Sequence, residues 1–369
     1  MRQHNFLRSH FRQHRGSAPQ IVFPGERVRL NGIGFQHVNL REHRRRRHVP
    51  EAKLVAVAGR DLARTKQFAS QLDVEHAFTS LEALLDCKGV EAIIVATPTE
   101  LHAPAVIRCA AAGKHVFCEK PLALTLEESD KAIAAVKRSG IVLHIALNRR
   151  FDPPYVEARR RILAGDIGTP AVFRSISRDR ELAPIEYYNT GSGPLFVDMG
   201  IHDFDVARWL TMDEVAEVHA FGGNVVAPEL AKFGDTDAGL ANLRFEKGAI
   251  GNIELFRQAR YGYDIYTEVV GTDGALRIGE LRHTAVTILK QDGISHDAVD
   301  GFPNRYRQAF LDELAAFVRT VREGSASLVT GEDSRRALAI ALAADKSRRE
   351  HRAALLSETS GASAARGKA

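Results

Sequence analysis

Several things are scarce in this 369-residue chain. It has three cysteines, Cys87, Cys109 and Cys118, none in CxxC spacing. That is too few for a disulfide framework and points to a reducing cytoplasm rather than a small secreted scaffold. No apolar run approaches the roughly 20 residues that a membrane-spanning helix needs, so no membrane partner is expected. The first 18 residues lack acids and lack an apolar h-region, which excludes a secretory signal. Lysine is absent from residues 1–50, which hold 11 arginines and only two acids, Glu26 and Glu42, a net of +9. The whole chain carries +5, so the other 319 residues carry −4. The high pI is therefore a terminal effect. No aromatic residues interleave with Arg44-Arg45-Arg46-Arg47 as a stacking surface requires, so no nucleic-acid partner is expected. Residues 1–25 read as a solvated, disordered basic leader, with an organellar transit peptide or a localisation patch as the rival readings.

What is present fits an average globular protein: 44% hydrophobic and 26% charged residues, with a length that implies two domains. There is no internal repeat. From Ala52 the chain alternates strand and helix. Leu54–Val57, Ala92–Ala96, His115–Cys118 and Ile141–Leu147 are short apolar runs suited to strands buried on both faces. Helical spacing covers 61–72, 102–112 and 126–139, the last opened by a Thr125/Glu128 capping box and closed by Gly140. Repeated βα units predict a doubly wound parallel sheet, with ligands beyond the carboxyl ends of its strands. The rhythm changes near residue 150. A helix at 153–164 is followed by strand-like segments at 171–177, 215–226, 238–246, 249–257 and 264–271, which predict an open, mostly antiparallel sheet. Helices return at 305–322 and 332–348. The expected fold class is thus α/β: a Rossmann-like domain over 26–147, an α+β domain with a large open sheet over 148–355, and a disordered tail over 356–369.

A dinucleotide site needs a glycine-rich turn after the first strand, so that backbone N–H groups approach the pyrophosphate. The candidate is Gly32-Ile33-Gly34-Phe35-Gln36-His37, which completes only two glycines of the fingerprint. At the end of strand 54–58, where an acid would accept from the ribose diol, stand Gly59 and Arg60. An arginine there can meet a 2′-phosphate instead, which leaves NADP possible beside the expected NAD. Thr97-Pro98-Thr99-Glu100-Leu101-His102 follows the next strand, either as a wall for the cofactor or as a plain capped turn. Glu119-Lys120-Pro121 ends the strand after it and aims a lysine into the crevice. Asp198 and His202, four residues apart, share one face of an entering helix turn. No further Cys or His stands at ligand spacing, so no metal is expected.

Together these elements resemble the Gfo/Idh/MocA oxidoreductase family from about Ala52 to residue 350. Cys118-Glu119-Lys120-Pro121-Leu122 is similar to its E-K-P hallmark, and Asp198 with His202 to its D-x-x-x-H pair. Asn148-Arg149-Arg150-Phe151-Asp152, Ser177-Arg178-Asp179, and Tyr261-Gly262-Tyr263-Asp264 with Glu268-Val269-Val270-Gly271 resemble the inositol 2-dehydrogenase branch. The resemblance implies oxidation of a polyol hydroxyl with NAD(P), and a homodimer or homotetramer packed through the sheets. It implies a catalytic set of Lys120, Asp198 and His202, substrate contacts from Arg149, Asp179 and Tyr263, and cofactor contacts from Gly32, Gly34, Arg60, Thr97, Pro98, His102, Glu119 and Lys120. Here an imidazole of pKa about 6.5 is the natural base, with Asp198 orienting it and Lys120 stabilising the alkoxide. A sugar dehydrogenase of the same family, or a non-catalytic sugar binder with a decayed cofactor turn, are the alternatives. The match falters over roughly 20–48, which suggests a wrong start or a reading-frame error there.

Overall fold

A computed structural model describes residues 28–33, 49, 51–188, 192–279 and 282–359. The first half comprises β1 (Val28–Ile33), β2 (Ala52–Ala58), α1 (Leu62–Leu72), β3 (His76–Phe78), α2 (Leu81–Leu85), β4 (Ala92–Val95), α3 (His102–Ala111), β5 (His115–Cys118), α4 (Leu126–Ser139) and β6 (Leu143–Ile145). Its six strands form one parallel sheet in the order β3-β2-β1-β4-β5-β6. Every residue of β4 is buried, as a strand covered on both faces must be. Asp61, Ser80 and Thr125 stand in extended backbone and accept the N–H three residues on, which starts α1, α2 and α4. The expected box at Thr125 is only half formed. Its hydroxyl donates to the Glu128 carboxylate at 3.0 Å, and the complete box lies at Thr330 and Asp333.

β1 corrects the reading-frame expectation in part. Residues 28–33 are a genuine central strand, hydrogen-bonded to β2 on one side and β4 on the other. Gly32 pairs with Val57 and Ile94 inside that strand, so it is not in the turn where the fingerprint reading put it. Gly34, the arginine run and the leader lie outside the described residues.

The second half runs α5 (Pro153–Ala164), β7 (Pro170–Arg178), α6 (Ile185–Tyr188), α7 (Leu195–Asp198), α8 (Ile201–Thr211), β8 (Val215–Gly223), β9 (Ala238–Phe245), β10 (Ile250–Phe256), β11 (Asp264–Gly271), β12 (Ala275–Ile278), β13 (Arg282–Lys290), β14 (Gly293–Ala298), α9 (Phe302–Arg305), α10 (Arg307–Glu323), α11 (Gly331–Glu350) and β15 (Ala354–Leu355). Seven strands form a sheet in the order β12-β11-β7-β10-β9-β8-β15, antiparallel throughout except for the parallel β7–β10 pair. Its inner face, with Phe173, Leu243 and Ile253, packs on α8 and α11 through Phe204, Ala337 and Ala341. β12 and the exposed β13–β14 hairpin were not expected from the sequence. The tail was expected to be disordered from 356, yet 356–359 form a 3-10 turn held by Arg352 and Lys346 on Glu358. α10 crosses back to the first sheet, where Leu314, Phe317 and Val318 pack on Ile94, Phe117 and Ala146. The two sheets thus meet at the carboxyl edge of the first, and a cleft opens there.

Candidate active site

One cavity of about 760 Å³ lies along that edge. Its lining includes Thr97 and Pro98 after β4, Glu119 and Lys120 after β5, Asp179 after β7, Asp198 at the end of α7 and His202 at the start of α8. His102, Arg149 and Tyr263 line it as well. Side chains as far apart in sequence as Thr97 and Tyr263, 166 residues, therefore face one space. Arg60 stands apart, exposed at the end of β2.

Lys120 precedes a cis peptide to Pro121. Its Nζ donates to the Asp198 backbone oxygen at 2.6 Å and stands 3.5 Å from the Asp198 carboxylate. Asp198 accepts from Tyr187 Oη on Oδ1 and from Arg257 Nη1 on Oδ2, both at 3.2 Å. Burial alone would raise this carboxyl, but Lys120 and Arg257 together outweigh it and hold the group below the usual range. It stays ionised.

The single helix turn expected for Asp198 and His202 is corrected: they sit on two helices broken at Met199 and Gly200. Gly200 at this break leaves no room for a side chain. A Cβ on Gly200 would come within 2.7 Å of the Phe196 carbonyl oxygen and 3.0 Å of Leu255 Cδ1. No hydrogen bond links Asp198 to His202, so the expected orienting contact is absent in this geometry. His202 Nδ1 is buried without a hydrogen-bond partner. Burial, then Lys120 and Arg149, push the imidazole well below its ordinary pKa, so the ring is neutral at pH 7.

Arg149 is buried and already engaged. Nη1 donates to Asp203 at 2.6 Å and Nη2 to Ser177 at 2.8 Å. Ser175 and Ser177 donate to the same Asp203 carboxylate. Asp179 is different: burial first, then the neighbouring Asp198, raise its carboxyl to about 6. Tyr263 stands edge-to-face with Tyr306 at 6.4 Å, and burial raises its phenol, so it remains an O–H donor.

On the cofactor side, Thr97 Oγ1 is buried without a partner at the carboxyl end of β4. Burial raises the Glu119 carboxyl. His102 places both ring nitrogens 2.8 Å from carbonyl oxygens, of Pro121 and Thr97. A neutral ring has one N–H to give. Burial first lowers its pKa, and Lys120 adds to that, so one of the two contacts is held by packing and His102 braces two loops rather than touching a ligand first. Among the described residues no group of three His, Cys, Asp or Glu side chains is set to hold a metal ion. Among them, too, no helix is long and apolar enough to cross a membrane.

Sequence reasoning missed Arg257, Tyr187 and Asp235. A signal existed for the first: Ile253 and Leu255 face inward on β10, and Arg257 continues that parity as a charge at a buried position.

Residues 30–147 match the model of an oxidoreductase family with an NAD-binding Rossmann fold, and 155–277 match the GFO/IDH/MocA C-terminal domain. The match therefore begins upstream of Ala52. The chain is 40% identical to a scyllo-inositol 2-dehydrogenase (NAD(+)) of Bacillus subtilis, over 81% of this chain and 87% of that one. It is 37% identical to a myo-inositol 2-dehydrogenase of Thermotoga maritima, over 90% and 100%. Among solved structures it resembles a Lactobacillus casei scyllo-inositol dehydrogenase with NAD(H) and scyllo-inositol bound, with a TM-score of 0.85 at 28% identity, covering 90% of this chain and 100% of that one.

Proposed function

This chain belongs to the Gfo/Idh/MocA oxidoreductase family, and from that premise we propose that it oxidises one secondary hydroxyl of an inositol, or a closely related polyol, to a ketone. The observation that carries the reading is the convergence of Lys120, Asp198 and His202 on one cavity beside the carboxyl ends of β4 and β5. In this reading residues 26–147 hold the cofactor and 148–355 the substrate.

The cavity wall suits a nicotinamide cofactor: the buried, unpartnered hydroxyl of Thr97 faces the edge where a parallel sheet receives its ligand. Thr97, Pro98 and Glu119 would hold that end. When bound, NAD supplies the acceptor for the hydride that leaves the carbinol carbon. The neutral ring of His202 takes the hydroxyl proton on its unprotonated nitrogen. Lys120 donates to the same oxygen and offsets the alkoxide charge, a contribution of about 3 kcal/mol for one such donor. Asp198, held ionised, fixes Lys120 through its backbone oxygen. Asp179 and Tyr263 offer an acceptor and a donor to neighbouring hydroxyls, a pairing that a polyol satisfies.

Cofactor choice is read from the end of β2. Gly59 has no side chain there, and the Asp61 carboxylate is committed to capping α1, accepting from Arg64 N at 2.8 Å. Arg60 is exposed beside them. A ribose diol finds no free carboxylate, whereas a 2′-phosphate finds an arginine, so NADP is accepted beside NAD. The outer face of the second sheet exposes Val172, Phe221, Leu240, Ile250 and Val270 on neighbouring strands. These apolar patches support a homo-oligomer, and light scattering giving a monomeric mass would remove that part; a cytoplasmic location is part of the same proposal.

The test of the chemistry is turnover, followed by reduced-cofactor absorbance on a panel of inositols and hexoses. His202→Ala and Lys120→Ala should each lower kcat by about 10²–10⁴ with the fold intact. Undiminished turnover in either variant removes that residue, and a hexose preferred over every inositol moves the substrate.

A further inference from the structure

Four charged side chains alternate in sign from the cavity into the interior: Lys120, Asp198, Arg257 and Asp235. Arg257 is 2% exposed. Its Nη1 donates to Asp198 Oδ2 and its Nη2 to Asp235 Oδ2, each at 3.2 Å. Its guanidinium lies 4.4 Å from the Tyr188 ring centre. Asp235 in turn accepts from the N–H groups of Leu195 at 2.7 Å and Thr236 at 2.8 Å.

These bonds have a common object. α7 is only four residues long, Leu195–Asp198, and a helix that short has little stability of its own. Asp235 holds its first N–H, and Arg257 holds the side chain of its last residue. One guanidinium, gripping both carboxylates, therefore spans α7 from end to end. The carbonyl oxygen that receives Lys120 belongs to that same last residue. Arg257 also takes up charge on Asp198 that would otherwise draw the Lys120 ammonium from the carbonyl to the carboxylate, 3.5 Å away.

We infer that Arg257 is a positioning residue for the reaction: by clamping α7 between Asp235 and Asp198, it keeps Asp198 aligned and leaves Lys120 free to face the substrate oxygen. The inference rests on the dehydrogenase reading above. The other groups facing Asp198 are Lys120 on the β5 loop, Tyr187 and Tyr188 on α6, and Asp179 after β7. Of these only Lys120 is a cation. Removing Arg257 therefore deletes one of the two cations that offset burial at Asp198, and its carboxyl must protonate at higher pH.

The experiment compares the full-length wild type with Arg257→Lys and Arg257→Met, checking each fold by circular dichroism. Arg257→Lys retains a charge but cannot fork to both carboxylates, so it survives if the methionine variant does not fold. We expect kcat for inositol oxidation to fall at least tenfold in Arg257→Lys. KM should change by less than threefold, and in Arg257→Met, where the cation is gone, the acid limb of the pH–kcat profile should move to higher pH. A second readout does not depend on turnover: carbon-13 NMR titration of the Asp198 carboxyl, assigned with Asp198→Asn, should show its midpoint raised in Arg257→Met, which deletes the cation. A folded variant with wild-type kcat, pH limb and Asp198 midpoint overturns the inference, as does a loss confined to melting temperature. A wild type inert toward every polyol overturns the dehydrogenase reading instead, and the NMR midpoint still decides whether Arg257 governs Asp198.

Discussion

The cleft and the exposed edge that follows β2 are built on opposite plans. At the reaction end every ionised group but one is tied down: Lys120 to a backbone oxygen, Asp198 to Tyr187 and Arg257, Arg149 to Asp203 and Ser177. The exception is Asp179, whose carboxyl is pushed up rather than paired. At the β2 end almost nothing is tied. Gly59 offers no side chain, Asp61 is occupied by a helix cap, and Arg60 reaches into solvent. The contrast teaches where each kind of selectivity is stored. Chemistry that develops charge needs groups pre-positioned in a dry site, whereas the choice between two cofactors needs only one correct contact at an exposed edge.

The largest effect that would sharpen this contrast is expected at Arg149. As a mere grip on a substrate hydroxyl, its loss would raise KM and leave stability alone. As the buried partner of Asp203 and Ser177, its loss strands a carboxylate in the interior. Arg149→Met should therefore cost about 3–5 kcal/mol of unfolding free energy in urea titration. An unchanged midpoint would break the contrast, because the reaction end would then be no more tightly built than the other. A smaller effect belongs to the β2 end. Gly59→Asp restores a carboxylate beside the ribose and should shift the ratio of NADP to NAD dissociation constants toward NAD by roughly 10–100-fold, about 1–3 kcal/mol, measured by calorimetry. Turnover at saturating NAD should stay put. A ratio that does not move means that the edge of β2 does not read the ribose.

The same contrast explains what could be read before any coordinates. Lys120, Asp198 and His202 were legible because each lies in a short local pattern at the end of a strand or the start of a helix, where the fold class already predicts a ligand. The alternating sheets were legible for the same reason, since burial on one face or two writes its own period. What could not be read were partnerships. Arg257 meets Asp198 across 59 residues, and Arg149 meets Asp203 across 54. No local spacing encodes such pairs. The need for glycine at position 200 was missed because part of what crowds it, Leu255, lies on another strand. The β13–β14 hairpin was missed because its residues are exposed, so no burial period marks them. The glycine turn was read in a register one element too early: Gly32 belongs to β1, and a glycine near the end of a strand looks like the turn that follows it.

A further effect concerns the Asp179 carboxyl, and it carries a sign. Asp179 has an ordinary pKa near 3.8 and is raised to about 6 in the fold, by burial first and by Asp198 second. Below pH 3.8 it is protonated whether the chain is folded or not, so it contributes no difference. Between the two values only the folded chain keeps the proton, and above about 6 it must hold a charge that the unfolded chain carries more easily. Stability is therefore lost as pH rises through this window, the reverse of the usual aspartate. Asp179→Asn removes the penalty. It should unfold at higher urea than the wild type at pH 8, by roughly 3 kcal/mol at about 1.4 kcal/mol per pKa unit, and show little gain at pH 4. The same variant should bind inositol more weakly, since an amide cannot replace a carboxylate as a two-lobed acceptor. A gain in stability coupled to a loss of binding would mark Asp179 as a group kept in place for the substrate at the expense of the fold. An equal gain at both pH values would assign the effect to packing, and the reaction end would then hold no strained charge at all.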